Sequence, residues 1–376
     1  MLLGLKRNII FLIVLFFAIL VMRCDKTPVG YDELERDLSN PVFNEFRPTA
    51  RYCYGKYSPL GDANYLVLGR NSEYESRILM KFAVDDSTVN LDSVVKVKLV
   101  LYPKRYNNIS FQIHPIETSS EWKENTATWK RMDEAVPWMT DGGDYYPTVL
   151  ANTTLSSDSC IIELPLNKLD TLVNHSWGII FIAIASDTGF TTINSRSISG
   201  KSPKLVFKFR DSSITSYVPN QDCHIIDTLN LILPPTDLWL GAGFPFRTML
   251  KFTLDTIPEN VTIAYAELTI NIHSHYSMSD TLSIGVWKVL EPGLNSLTKF
   301  ADNISNQTQY IASTDTTVTF DIRQIVQFWN TKPDSNFGIL LSVYPENYEI
   351  SRVRLKTGTY LPNLKVGYIL PPTGRF

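Results

Sequence analysis

Histidine and cysteine are scarce in this chain, with five and four residues, and charged side chains make up only 19% of it. The cysteines show no Cys-x-x-Cys spacing, which leaves a zinc ribbon or a redox dithiol without support. Gly-x-Ser-x-Gly, phosphate-loop and His-Glu-x-x-His patterns are all missing, so serine-hydrolase, nucleotide and zinc-protease chemistries find no footing. A formal net charge of -3 gives no electrostatic reason to expect nucleic acid as a partner. Beyond the N-terminal apolar run, no stretch keeps a helical period. What remains is a chain of 376 residues that is 44% hydrophobic and 12% aromatic, rich in Thr, Ser, Asn, Val and Ile. That composition excludes disorder and points to half-buried strands.

Lys6 and Arg7 precede an unbroken apolar run, Ile9 to Met22, that ends at Arg23-Cys24-Asp25. The run is shorter than the roughly 20 apolar residues a spanning helix needs. It resembles a bacterial lipoprotein signal, which implies lipidation of Cys24. Arg23 stands where that pattern has a small residue, so an uncleaved anchor and ordinary signal cleavage stay open beside it. All three place the body of the protein in the cell envelope, facing outside the cytoplasm, with the membrane reached through the N-terminal segment. Residues 1–24 are thus a targeting segment, and 25–43, carrying Asp32, Glu33, Glu35 and Asp37, a spacer. Cys53, Cys160 and Cys223 form either one disulfide plus a free thiol or buried free thiols.

The chain repeats itself. Tyr65-Leu66-Val67-Leu68-Gly69 and Arg77-Ile78-Leu79-Met80-Lys81-Phe82 return as Asp237-Leu238-Trp239-Leu240-Gly241 and Arg247-Thr248-Met249-Leu250-Lys251-Phe252. The alternating run Val94–Tyr102 returns as Ile263–Ile272, and Trp177-Gly178-Ile179 as Phe337-Gly338-Ile339. Each copy closes alike, with Arg196, Gly200 and Pro203-Lys204-Leu205 matched by Arg354, Gly358 and Pro362-Asn363-Leu364. Five landmarks in one order mark a duplication, with domains expected at 44–210 and 217–370.

Within each copy the landmarks alternate with period 2. Ile78, Met80 and Phe82 oppose Arg77, Leu79 and Lys81; Val95, Val97, Leu99 and Leu101 oppose Lys96, Lys98, Val100 and Tyr102. Such alternation predicts one face on a core and one towards solvent. Leu166–Val173 and Ile322–Trp329 are long enough for a turn or two of helix. The fold class that follows is all-β, two tandem jelly-roll-like antiparallel β-sandwich domains after the N-terminal signal or lipoprotein segment.

The first copy, through Leu-x-Leu-Gly, Arg-x-Leu-x-Lys-Phe, Glu121-Trp122-Lys123-Glu124-Asn125-Thr126-Ala127-Thr128-Trp129 and Gly142-Gly143-Asp144-Tyr145, resembles the DNRLRE-type domain. That family is related to parts of disaggregatase proteins and is classed among carbohydrate-binding modules. The resemblance implies a secreted or surface jelly roll with acidic polysaccharide as ligand. The second copy keeps the opening and closing strands. Of the two-tryptophan element it retains only Val286-Trp287-Lys288-Val289, and it has no Gly-Gly-Asp-Tyr, which puts its binding in doubt.

Alternation places Arg77, Lys81, Lys96, Lys98, Lys204 and Lys208 on the non-core sides of their strands, a cationic face suited to carboxylated sugars if those strands share one sheet. The same lysines would also serve merely to keep open strand faces soluble. Trp122, Trp129, Trp138, Tyr145 and Tyr146 crowd one connection, either to stack on sugar or to plug the sandwich end. Asp141 or Asp144 could bond sugar hydroxyls or hold a structural calcium ion through oxygen ligands. His273 and His275 share a strand face, with no third metal ligand in view. Three functions stay in play: a binder of extracellular, acidic polysaccharide, an adhesive or structural envelope protein that contacts proteins, and a polysaccharide lyase or hydrolase using carboxylates such as Glu121 and Glu124.

Overall fold

A computed structural model describes residues 41–370, except 85–88, 230, 232, 233, 235, 280, 302–307 and 348. The targeting segment with Cys24, and most of the spacer, lie outside the described residues. Among the described residues no helix is long and apolar enough to cross a membrane.

The chain opens with β1 (Val42–Phe46) and β2 (Ala50–Gly55). The body of the first copy follows as β3 (Tyr65–Arg70), β4 (Tyr74–Phe82), β5 (Val94–Leu101), β6 (Pro103–Arg105), β7 (Ser110–Pro115), β8 (Ala151–Thr154) and β9 (Cys160–Leu164). Helix α1 (Leu169–Asn174) precedes β10 (Ile179–Ala183), β11 (Gly189–Asn194), β12 (Lys204–Phe209), β13 (Ile214–Tyr217) and β14 (Pro219–Thr228). The second copy runs β15 (Leu238–Ala242), β16 (Phe246–Lys251), β17 (Thr262–Ser277), β18 (Thr281–Lys288), β19 (Thr308–Ala312) and β20 (Thr317–Asp321). Helix α2 (Arg323–Thr331) then leads to β21 (Ile339–Val343), β22 (Ser351–Leu355) and β23 (Asn363–Ile369). Both short helices fall where the sequence allowed them. The fold is all-β, with antiparallel pairing throughout the described ladders.

The strands form two sandwiches. In the first, the sheet β13-β12-β5-β9 faces a larger sheet in the order β6-β11-β3-β4-β10-β7-β8, with β14 also paired to β4. In the second, β1-β23-β17-β22-β15, with β20 beside β17, faces β19-β18-β21-β16-β2. Each encloses its own apolar core: Ile78, Met80, Leu99, Phe111, Phe181 and Phe207 in the first, and Leu250, Leu268, Phe320, Trp329, Leu341 and Val366 in the second.

Strand membership departs from the sequence division. The first two strands of each copy complete the other copy's sandwich. β1 pairs with β23, Val42 opposite Tyr368 through Phe46 opposite Leu364, and β2 pairs with β16, Ala50 opposite Lys251 through Gly55 opposite Phe246. At the matching positions of the second copy, β13 pairs with β12 and β14 with β4. The first sandwich therefore runs from β3 to β14, and the second takes β1 and β2 together with β15 to β23. The reason is edge satisfaction: β4 and β16 each expose a row of backbone N–H and C=O groups until a neighbour pairs with them. A repeat in sequence identifies equivalent strands without saying whose edge each one fills.

The exchange is locked by a shared apolar seam of Leu60, Val67, Tyr74, Trp239, Phe246 and Ile350. Arg352 of β22 bonds Glu73, before β4, at 3.1 Å across this seam. Two details of the alternation also differ from expectation. A register shift between Lys208 and Phe209 on β12 sets Phe209 opposite Val94, so Val94 enters the core and Val95 is 43% exposed. Leu79, on the side expected to meet solvent, is fully buried, because the segment between β7 and β8 folds over that face.

A fragment cut at the sequence repeat, 44–210, carries β1 and β2 without their partners and lacks β14. It is expected to lack a cooperative urea transition, whereas 56–229, which keeps β3 to β14, gives a sigmoidal one. Equally cooperative unfolding of the two fragments would contradict the exchanged pairing.

Candidate binding surface

Four of the six sequence-predicted cations gather on one exposed sheet face. In the β12–β5 ladder, Lys204 lies opposite Val100, Val206 opposite Lys98, and Lys208 opposite Lys96. Directly opposed residues project from the same face, so Lys96, Lys98, Lys204 and Lys208 point away from the core while Val97, Leu99, Leu205 and Phe207 fill it. Among the facing strands, β9 adds Glu163 opposite Lys98 and Ile161 opposite Val100, and Glu163 is ion-paired with Lys96. Lys96 and Lys208 stand as a directly opposed like-charge pair, an arrangement that costs stability. Ile161 and Ile214, 61% and 66% exposed, share the face.

Arg77 and Lys81 sit on the opposite sheet, and both are consumed internally. Arg77 bonds Glu75 at 2.8 Å and the carbonyl of Gly142 at 2.9 Å, with its guanidinium 4.7 Å from the Trp129 ring centre. Lys81 pairs with Glu121 at 2.5 Å and lies over the ring of Trp177; Lys81 in turn holds the Glu121 carboxyl below its ordinary value. The expectation of one cationic face including these two is corrected: they pin down the insert between β7 and β8.

That insert is a packed lid. Trp122, Trp129 and Trp138 are buried with Leu79, Ile180 and Ile225. The Trp122 indole donates to the carbonyl of Trp177 and the Trp138 indole to that of Thr128, each at 2.8 Å. Asp144, buried, accepts the backbone N–H groups of Met139 and Thr140 at 2.8 and 2.7 Å. Gly142 has a positive φ of 87°, and a Cβ there would lie 2.7 Å from the Trp129 ring. Gly-Gly-Asp and the two-tryptophan element are thus the lid's own joinery, and Trp138 and Asp144 have no side-chain surface for a ligand. Asp141 is paired with Lys130. Asp141 and Tyr145 reach solvent and Tyr146 is half-buried; the Tyr145 ring lies 4.8 Å from that of His114.

At the edge of the lid, Glu124 of the lid and Asp222 of β14, both buried, share one partly exposed guanidinium, an arrangement that the sequence did not disclose. Arg196 grips both oxygens of Glu124, at 3.3 and 2.9 Å, and its backbone N–H donates to Asp222 at 2.6 Å. Burial pushes Asp222 up to about 7, with Glu124 adding to the rise and Arg196 opposing it; burial raises Glu124 as well. One guanidinium does not neutralise two carboxylates. Two residues along β14, His224 is fully buried without a hydrogen-bond partner for either ring nitrogen, and burial pushes it down to about 3.

The shared strand face expected of His273 and His275 fails on register. A shift between Ile272 and Ser274 leaves His273 as the bulged residue of β17, which breaks the alternation that would have aligned it with His275. Among the described residues no three His, Cys, Asp or Glu groups gather as a metal would require. Cys53, Cys160 and Cys223 are free thiols. Trp287 is likewise reassigned. It lies on β18 opposite Leu340, the position of His114 opposite Ile180 in the first copy, and is no remnant of the tryptophan lid.

Comparison with known proteins adds little to this geometry. Residues 213–360 match the family model described as TGF-beta propeptide, less than half of the chain. No curated protein matches. Among solved structures, one from Parabacteroides distasonis, named as a candidate secreted protein, is 11% identical. It covers 89% of this chain and 93% of its own, at a TM-score of 0.21. The N-terminal CBM22-1-CBM22-2 tandem domain from Paenibacillus barcinonensis Xyn10C is 8% identical and covers 86% and 100%, at a TM-score of 0.15. Such scores carry no argument about fold or function.

Two outcomes follow for the first sandwich. Asp144→Ala orphans two backbone donors and is expected to lower stability by about 1–3 kcal/mol, while Lys98→Ala/Lys208→Ala stays within about 0.5 kcal/mol of the native chain; equal losses in denaturant titrations would contradict the division between lid and face. Asp222 keeps a proton in the folded state that the unfolded chain releases between roughly pH 4 and 7, so its contribution falls as pH rises through that window. The stability of Asp222→Asn relative to the native chain should therefore climb across the window, by on the order of a few kcal/mol, and level off above it. A pH-independent difference would mean that Asp222 is ionised when buried.

Proposed function

We propose that this is an exported, envelope-tethered binding protein that engages an extracellular acidic polysaccharide through the lysine face of its first sandwich. The observation that carries the reading is the grouping of Lys96, Lys98, Lys204 and Lys208 on one exposed sheet face, with Glu163 on the neighbouring strand. A repeating uronic polymer presents carboxylates in a row, and an open flat sheet meets a row better than a pocket does. Keeping Lys96 opposite Lys208 has a local cost that solubility alone does not require. The resemblance to the DNRLRE-type domain points to the same ligand class. The N-terminal apolar run ending at Cys24 supplies the tether in this reading, by lipid or as an anchor.

Exposed Ile161 and Ile214, on the outer strands that flank the lysines, favour one other reading, an adhesive face for protein. Hydrolase or lyase chemistry gains nothing from Glu124 and Asp222: Asp222 is fully buried and Glu124 is spent on Arg196.

The test is affinity electrophoresis of the full chain through gels holding polygalacturonate, alginate or a neutral glucan. Retention by the uronic polymers should weaken with salt and fall at least tenfold in Lys98→Ala/Lys208→Ala, at unchanged melting temperature. Lack of retention by any anionic polymer, or equal retention of that variant, would defeat the proposal.

A further inference from the structure

The second sandwich carries an open cleft where the first carries its lid. Arg247 on β16 occupies the repeat position of Arg77 on β4. Glu346 holds it by two parallel bonds of 2.7 and 2.6 Å, and Phe300 lies over its guanidinium at 5.2 Å as Trp129 lies over Arg77. Among the described residues no tryptophan-rich insert seals the surface here. A cavity of about 460 Å³ remains, lined by Arg247, Trp287, Phe300, Tyr344, Glu346 and Asn347, and closed on one side by 58–60. Its volume lies within the range of small-ligand sites, with room for roughly one or two sugar rings.

The aromatic groups form a braced wall. The rings of Trp287 and Phe300 meet edge to face at 6.4 Å, and those of Trp287 and Tyr344 at 6.1 Å. Trp287 is buried, whereas Tyr344 is 48% exposed and free to pack a ligand. A pyranose fits such a wall, because its C–H face packs on an aromatic ring while its hydroxyls seek carboxylate and amide groups.

Charge decides between sugar classes. Arg247 and Glu346 neutralise each other, so neither an anionic nor a cationic ligand meets an unpaired charge in the cleft. The remaining acceptor capacity of Glu346 and the amide of Asn347 suit hydroxyl groups. Lys56, a neighbour of this pair, is not among the residues lining the cleft.

We propose that this cleft is a second, separate glycan site that takes a neutral pyranose, independent of the lysine face. The wall at 58–60 lies in the connection between the exchanged strand β2 and β3, so the cleft exists only with the N-terminal strands seated in the second sandwich.

Saturation-transfer NMR and tryptophan fluorescence on the full chain, with neutral methyl pyranosides and the matching uronic acids, test this. Neutral pyranosides should bind saturably and independently of salt. Tyr344→Ala, at native melting temperature, should bind them at least tenfold more weakly, while Lys98→Ala/Lys208→Ala binds as the native chain does. Absence of saturable binding by every neutral pyranoside, or native affinity in folded Tyr344→Ala, would overturn the proposal and leave the lysine face untouched.

Discussion

Two antiparallel ladders hold this molecule together, β2 against β16 and β14 against β4. Each supplies a neighbour for a strand edge whose unpaired backbone groups would otherwise face solvent or recruit another chain. Because the donor in each case comes from the other copy's stretch of sequence, neither sandwich is complete within its own repeat. The seam of Leu60, Val67, Tyr74, Trp239, Phe246 and Ile350 then follows, since exchange forces the two sandwiches close enough to bury it. The cleft wall at 58–60 is a further consequence of the same crossing.

A second device is used twice with different outcomes. Arg77 and Arg247 stand at one repeat position, each paired with a glutamate and each under an aromatic ring. In the first copy the ring belongs to a long insert whose tryptophans, Asp144 turn and Gly142 contact close the sheet face. In the second the described part of the equivalent connection leaves the arginine at the floor of a cleft. The duplicated arginine is thus an anchor for whatever the β7–β8 or β18–β19 connection brings across it. The ligand-facing consequences differ because the connections differ.

The lysine face illustrates how far alternation reaches. Period 2 correctly puts Lys96, Lys98, Lys204 and Lys208 outside the core, because a strand alternates its side chains whatever lies beyond it. It treats Arg77, Lys81 and Leu79 in the same way, although a lid covers them. Trp138 and Asp144 read as exposed candidates for the same reason: nothing local distinguishes an aromatic that stacks on sugar from one that closes a loop. Bulges mislead it too. One extra residue on β5 turns Val95 out and another on β17 separates His273 from His275, and a bulge is fixed by the partner strand, not by the strand's own pattern.

What the sequence by itself determined is the all-β class, the duplication and the side of each strand that carries charge, all consequences of local periodicity and self-similarity. Only the tertiary structure decided which sandwich each strand completes, which cations remain exposed, that Asp222 and His224 are buried opposite Met80 and Ile78, and that Tyr344, Trp287, Arg247 and Glu346 share a cleft. Those outcomes depend on which distant backbone fills an open edge and which connection covers an outer face, and on the burial that results. Such pairings between remote segments leave no period in the chain for a sequence reading to follow.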